Sequence, residues 1–135
     1  MRHKGGEAML DLGYLNKLIK AKQQKNENSL ITYVKDQFAC FEEVVEVAAN
    51  NGYNCGYFKL WLPKEIKQPK NDIIVLAFDT LKNAYTPISI RFSCGVVTYE
   101  TDLNTGRDYL DLWFTIPNDK RELKSYGDRV VWEVE

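Results

Sequence analysis

Oxygen-bearing side chains recur at alternate positions in the segment Asp102–Asp108. In a turning backbone, such side chains can converge on a hard cation such as Ca²⁺. However, Gly106 stands where a calcium loop usually has its fifth-position acid, and Trp113 stands where such a loop has its last glutamate. A hairpin turn with Asn104 and Gly106 in left-handed conformations explains the same residues, and we favour that interpretation.

Two other groups of acidic residues have the spacing of catalytic sites. Glu65-Ile66-Lys67 matches half of a metal-dependent nuclease signature, in which a carboxylate holds Mg²⁺ and a lysine stabilises the attacking water. It follows Pro63 in a predicted loop, whereas the nuclease tripeptide lies on a strand. Glu42, Glu43 and Glu46 could include an acid and base pair, but the same spacing is typical of a solvated helix surface.

Histidine and cysteine usage argues against most catalytic chemistry. The chain has one histidine, His3, although histidine is the usual general base near neutral pH and the commonest metal ligand. Of the three cysteines, Cys40 and Cys94 fall among apolar neighbours and are predicted to be core residues. Cys55 is predicted to be accessible, but it has no histidine to activate it. We therefore expect a protein that is not an enzyme and that needs no cofactor or metal.

The composition is that of one globular domain. The 135 residues are 44% hydrophobic and 27% charged, and the net charge of -1 creates no field that favours nucleic acid or an anionic membrane. No apolar run approaches the roughly 20 residues that cross a bilayer, and the N-terminus lacks the apolar region of a signal peptide. Three cysteines without CxxC spacing fit a reducing compartment, so we expect a cytoplasmic protein.

The first eight residues are expected to be a disordered tail before a single domain at residues 9–135. The segment Lys4–Met9 can be encoded by AAA-GGA-GGA-GAA-GCA-ATG, which contains a purine-rich bacterial ribosome-binding sequence before Met9. Translation starting at Met9 would make residues 1–8 an upstream extension. This interpretation points to a bacterial or phage protein, such as an accessory protein of a mobile element.

The first third of the chain has helical periodicity. Asp11 is expected to cap a helix that runs to about Lys25, followed by a polar connection at residues 23–29. A longer helix is expected from Asn28 or Ser29 to Asn50, with one buried face formed by Leu30, Val34, Phe38, Phe41, Val45 and Ala48. The first helix is basic and the second acidic, so the two could pack as a hairpin or simply present solvated faces.

The remainder has the periodicity of strands. Alternating apolar residues predict strands at residues 57–62, 88–94 and 109–116, and an apolar run predicts a central strand at 72–79. A last strand is predicted at residues 129–135, with Val130, Trp132 and Val134 on one side. Because short turns force antiparallel neighbours, we predict an α+β fold. It has two N-terminal helices and a mainly antiparallel sheet of about five strands, with the long helix packed on one face.

The strand residues that alternate with the apolar set are unusually aromatic and basic. A merely solvated face would be expected to carry more Lys, Glu, Thr and Ser, whereas Tyr, Trp and Arg are enriched in binding hot spots. We predict that this second face of the sheet binds a partner through Tyr57, Lys59, Trp61, Arg91, Tyr109 and Trp113.

Several accounts of this face remain open. Our first hypothesis is that it contacts another protein or a second copy of the chain, as in an inhibitor, immunity protein or adaptor. It can instead be covered by the first helix or the last strand, and then be a second core layer. A pocket between the helices and a curved sheet, for a small ligand or a histidine-independent reaction, is the main alternative function. Stacking of single-stranded nucleic acid is the second, although the acidic residues weaken it.

Overall fold

The computed structural model describes residues 11–117, 122–126 and 129–133, with backbone alone after residue 117. Three helices and six strands follow in the order α1 (Leu12–Lys35), α2 (Phe38–Asn50), β1 (Cys55–Trp61), α3 (Asn71–Ala84), β2 (Ser89–Phe92), β3 (Glu100–Thr101), β4 (Asp108–Thr115), β5 (Glu122–Tyr126) and β6 (Arg129–Glu133). The predicted α+β class is confirmed. The predictions for residues 1–8, and for the side chains of the last strand, lie outside the described residues.

The N-terminal helices differ from the predicted pair. The helix α1 begins at the Asp11 cap, whose carboxylate accepts the Tyr14 N–H at 3.1 Å, and runs unbroken to Lys35. The expected connection at residues 23–29 is wrong because its Gln, Lys, Glu and Asn residues include no Gly or Pro to end a helix. The chain bends instead at residues 36–37, so α1 and α2 form one long bent helical segment.

The segment predicted as a central strand is the helix α3. A short apolar run fits a buried strand and a buried helix equally well, and the run from Ile73 to Phe78 is such a case. Ile74, Ala77 and Leu81 are buried and lie one turn apart, whereas Val75 is 39% exposed. The helical spacing thus continues beyond Asp79, where we expected the strand to end.

The sheet has four antiparallel strands arranged around β4. The strand β1 pairs with one side of β4, and both β2 and β3 pair with the other side. The predicted count of about five strands is therefore slightly high for this sheet. A separate two-stranded ladder joins β5 to β6, and β5 is not among the strands predicted from the sequence.

All three helices contribute to one core on a single face of the sheet. The expected helix face is confirmed, because Leu30, Val34 and Phe41 are buried and the other three residues of that face pack partly buried against them. The expected strand face is also in this core, through residues such as Phe58, Leu60, Ile90, Leu110, Leu112 and Phe114. A hairpin of the two predicted N-terminal helices, one of the two alternatives left open above, does not form. Residues 12–35 are a single helix that packs against α3, and α2 packs against β1.

Candidate binding face

The side of the sheet turned away from this core is called the outer face here. It carries Tyr57, Lys59, Trp61, Arg91, Tyr109, Asp111 and Trp113 by strand alternation. The register aligns them in rows across the strands: Tyr57 and Arg91 flank Trp113, Lys59 lies opposite Asp111, and Trp61 lies opposite Tyr109. All six residues predicted to bind a partner are thus brought together on one face.

The first row is built around the indole of Trp113. The Tyr57 ring meets it edge-on, with centroids 4.8 Å apart, and the Arg91 guanidinium carbon lies 6.0 Å from its ring centroid. Trp113 is only 6% exposed and forms a small buried cluster with Cys55, whereas Tyr57 is 44% exposed and Arg91 is exposed. Trp113, which we predicted to bind a partner, is therefore enclosed by its cross-strand neighbours and exposes little surface for direct contact.

The second row balances a cation with a carboxylate. The Lys59 ammonium lies 4.9 Å from the centroid of the Tyr109 ring, which is the geometry of a cation–π contact. The Asp111 carboxylate accepts a hydrogen bond from the Ser93 hydroxyl at 2.9 Å. Lys59 is exposed, and Asp111 is half-buried.

The third row is held by residues that the sequence did not single out. Trp61 and Tyr109 pack at 5.1 Å between centroids, and the Arg107 guanidinium lies 5.0 Å above the Trp61 ring. Arg107 also donates to the Tyr33 hydroxyl and, at 3.3 Å, to the Leu62 carbonyl. No periodic signal marks Arg107, because it follows the hairpin turn and is placed by the register of β3 with β4.

The backbone of Trp61 is held by a single side chain. Gln37, at the bend between α1 and α2, accepts the Trp61 N–H and donates to the Trp61 carbonyl, both at 2.8 Å. The other edge of β1, which does not pair with β4, has no neighbouring strand. These two bonds take the place of one at Trp61 and cover one end of that edge. Gln37 fixes the position of β1, and so of the third row, relative to the helices.

The cysteines are distributed opposite to the prediction. Cys40 and Cys94 are exposed, and Cys55 is buried beside Trp113. Burial raises the pKa of the Cys55 thiol from its ordinary 9.0 to about 11, so it carries a proton at neutral pH. The strand β1 begins at Cys55, two residues before the predicted start, so Cys55 lies on the side of Tyr57, which is closed at this end of the strand.

The calcium-like segment forms the predicted hairpin turn, with Gly106 in a left-handed conformation at φ 71°, but the left-handed conformation predicted for Asn104 is wrong. The Asp102 carboxylate accepts from the Thr105 hydroxyl at 2.8 Å and from the Asn104 N–H at 3.2 Å, and these bonds lower its pKa. The buried Asp108 carboxylate accepts from the Thr101 hydroxyl and the Gln68 N–H. The hydrogen bonds to these carboxylates therefore stabilise the turn and the adjacent loop. Across residues 11–117, no group of three or more acidic, cysteine or histidine side chains is placed to hold a metal ion.

The remaining acidic candidates lie in a loop, form a structural hydrogen bond or are exposed on a helix. Glu65 and Lys67 lie in a loop, where the Lys67 ammonium donates to the Gly106 carbonyl at 2.9 Å. Glu42 accepts a short 2.5 Å bond from the Tyr85 hydroxyl, and burial together with this bond raises the pKa of Tyr85. Glu43 and Glu46 are exposed on α2.

An open surface depression of about 700 Å³ lies along α1. Its described lining comes from one helix: Ala21, Gln24, Lys25, Asn28, Ser29 and Thr32. This position differs from the pocket between helices and curved sheet that the alternative function requires.

Comparison of the chain with known protein families, with curated proteins and with solved structures finds no match. None of the three helices in the described ranges is long and apolar enough to span a bilayer.

Proposed function

We propose that this chain is a non-catalytic binding protein that acts by contacting another protein through its outer face. The observation that carries the proposal is the clustering of aromatic and cationic side chains there. Tyr57, Lys59 and Arg91 are exposed around the half-buried rings of Trp61 and Tyr109. Large rings with polar handles, set around a dry centre, are typical of interface hot spots.

The face is also largely ordered before any partner arrives. Trp113 is buried beneath Tyr57 and Arg91, and Trp61 is held between Tyr109 and Arg107. Side chains that are already packed lose little conformational freedom on binding, which favours affinity. We therefore propose that Tyr57, Lys59 and Arg91 contact the partner directly, and that Trp113 holds the Tyr57 and Arg91 side chains in place.

The class of protein that we propose is a cytoplasmic bacterial or phage protein of the inhibitor, immunity or adaptor type. Three unpaired cysteines and the purine-rich coding potential of the segment Lys4–Met9 support it. A role without catalysis is supported by the protonated Cys55 thiol and by the carboxylates of Asp102 and Asp108, which are engaged in hydrogen bonds.

The proposal is tested by crosslinking and by a matched pair of variants. A photoreactive amino acid at position 57 should capture a partner in cells, whereas the same group at Val75, 39% exposed on α3, should not. The captured partner should bind Tyr57→Ala/Arg91→Ala at least about tenfold more weakly than wild type, because hot-spot truncation costs about 2 kcal/mol or more. The control Val75→Ala/Lys64→Ala should bind as wild type does. Equal capture from both positions, or equal loss in both variants, would contradict the proposal.

Binding of single-stranded nucleic acid is a second candidate, favoured by the three cations that lie against rings of the outer face. The contacts join Lys59 to Tyr109, Arg91 to Trp113 and Arg107 to Trp61. Such binding should weaken steeply between 50 and 200 mM salt, by roughly tenfold or more for a few phosphate contacts. Fluorescence anisotropy with a labelled oligonucleotide measures it. Binding that is unchanged by Lys59→Ala/Arg91→Ala would exclude the outer face as its site.

A further inference from the structure

The N-terminal part of α1 carries a row of apolar side chains that the core does not cover. Leu12 is 70% exposed and Ile19 is 54% exposed, while Leu30 and Val34 of the same helix are buried. These four residues are spaced by nearly whole helical turns, so they lie on one side of α1. The side that packs on the core near the end of α1 is therefore open to solvent near its beginning.

A row of this kind is suited to contact with another helix. Leu15 and the 48% exposed Leu18 lie beside Leu12 and Ile19, which gives four apolar side chains within about two turns. Single exposed apolar residues are ordinary on protein surfaces, but a row on one side of a helix is the pattern of a packing face. We call these four residues the α1 stripe.

The two N-terminal helices carry opposite charges, which favours contact between them. The helix α1 has five lysines and one glutamate, a net charge of +4, and α2 has three glutamates and no basic residue. Lys20 is exposed beside the stripe, and Lys22 is exposed one turn beyond Leu18 and Ile19, where it continues the line of the stripe. On α2, Glu43 and Glu46 are exposed beside Val47, which is 53% exposed. Since α1 packs on α3 within the chain, neither surface is covered by the other.

We propose that the chain forms a symmetric dimer in which the α1 stripe of each copy packs on the exposed face of α2 in the other copy. The arrangement pairs lysines with glutamates in two identical contacts and forms a closed dimer. Direct pairing of two α1 helices would cover the same apolar surface but would place lysines against lysines. The proposal is independent of the outer face, which stays free in the dimer to bind its partner.

Charge reversal tests both sides of this contact. Sedimentation equilibrium of the full chain should show a dimer that dissociates more readily as salt rises, because exposed charge pairs are screened. Lys20→Glu/Lys22→Glu and Glu43→Lys/Glu46→Lys should each weaken the dimer by at least about tenfold, because each places like charges together twice. An equimolar mixture of the two variants should restore dimerisation, because both contacts in the mixed dimer regain opposite charges.

Two controls separate this contact from general effects of charge. Lys64→Glu/Lys70→Glu and Glu65→Lys/Asp79→Lys make the same charge changes at exposed positions outside α1 and α2, and should leave the dimer unchanged. Circular dichroism should show the wild-type helix content in every variant. A monomer at all concentrations, a dimer insensitive to the α2 reversal, or a mixture that stays monomeric would each overturn the proposal.

Discussion

Gln37 is the residue at which the helical and strand parts of the chain are joined. Its side-chain amide forms both hydrogen bonds that a neighbouring strand would make with Trp61, at 2.8 Å each. The same residue stands at the bend between α1 and α2, and its backbone angles of φ -96° and ψ -1° lie in the right-handed helical region but depart from those of a regular α-helix. One side chain therefore connects the bend between the helices to the third row of the outer face.

Replacement of Gln37 should destabilise the fold measurably. Gln37→Ala removes a donor and an acceptor from the half-buried Trp61 backbone, so we expect the free energy of unfolding to fall by about 1–3 kcal/mol. Gln24→Ala is the matched control, because Gln24 bonds only to the exposed Asn28 side chain and its loss should cost under about 0.5 kcal/mol. Urea denaturation compares the two. Equal effects would show that the Trp61 contact does not hold β1.

The protonation of Cys55 makes stability depend on pH in the alkaline range. Below pH 9.0 the thiol is protonated in the folded and unfolded chains alike, so it adds no pH dependence. Between pH 9.0 and about 11 the unfolded chain loses this proton first, and the free energy of unfolding falls by up to about 2–3 kcal/mol. Cys55→Ala should make the decline from pH 8 to pH 10.5 shallower, and Cys94→Ala should not. Identical declines in the two variants would disprove the assignment.

The side of the sheet on which a strand residue lies could be predicted from the sequence, because alternation along the strand alone decides it. Tyr57, Lys59, Trp61, Arg91 and Tyr109 lie on the predicted side of the sheet because the register preserves the alternation across β1, β2 and β4. Burial within that side was not predictable. It depends on which side chains meet across strands, as the enclosed Trp113 shows, and that requires the strand order.

At the scale of elements, close packing between β1 and β4 depends on a glycine. Gly56 lies opposite Phe114, and a Cβ atom at position 56 would come within 2.9 Å of the Phe114 ring. Phe114 is fully buried and packs edge-on against Phe41, with ring centroids 5.7 Å apart. The ring therefore has little room to move away.

A methyl group at position 56 should strain this contact. We expect Gly56→Ala to lower the free energy of unfolding by about 1–3 kcal/mol, as overpacked cores do. A double-mutant cycle with Phe114→Leu checks the cause, since the smaller side chain should make the second substitution less costly. Thermal unfolding followed by circular dichroism measures all four proteins. Additive effects would place the strain elsewhere.

Elements were predictable where one periodicity extends over many residues. The face of α2 and the strands β1, β2 and β4 carry such patterns, and each was assigned the correct type. The helix α3 was missed because Ile73–Phe78 is apolar on every side. Its helical period becomes visible only when Leu81 is included. The continuity of α1 is not predicted, because the polar residues 23–29 indicate a connection, although all of them are compatible with a helix.

At the scale of the whole molecule, β4 supports both faces of the sheet. Leu110, Leu112 and Phe114 are buried in the core, and Tyr109, Asp111 and Trp113 belong to the outer face. Each of the other three strands of this sheet pairs with β4 alone. A destabilising substitution in β4 is therefore expected to disturb the core and the outer face together.

Alanine substitution of one buried and one exposed leucine tests whether the core depends on β4. Leu112→Ala, at a side chain only 1% exposed, should lower the free energy of unfolding by about 2–5 kcal/mol. Leu103→Ala, at a side chain 95% exposed, should change it by less than about 0.5 kcal/mol. Urea denaturation followed by tryptophan fluorescence measures both. A small effect at Leu112 would mean that the core does not close over β4.

The central position of β4 also has a consequence for how the protein is made. Ribosomes release a chain from its N-terminus, so β1, β2 and β3 emerge before the strand that joins them. Until residues 108–115 leave the exit tunnel, β1 and β2 lack the strand with which they pair, and their apolar sides stay exposed. Nascent chains that stall before this point should bind chaperones and be cut readily by proteases, and protection should arise in one late step of synthesis.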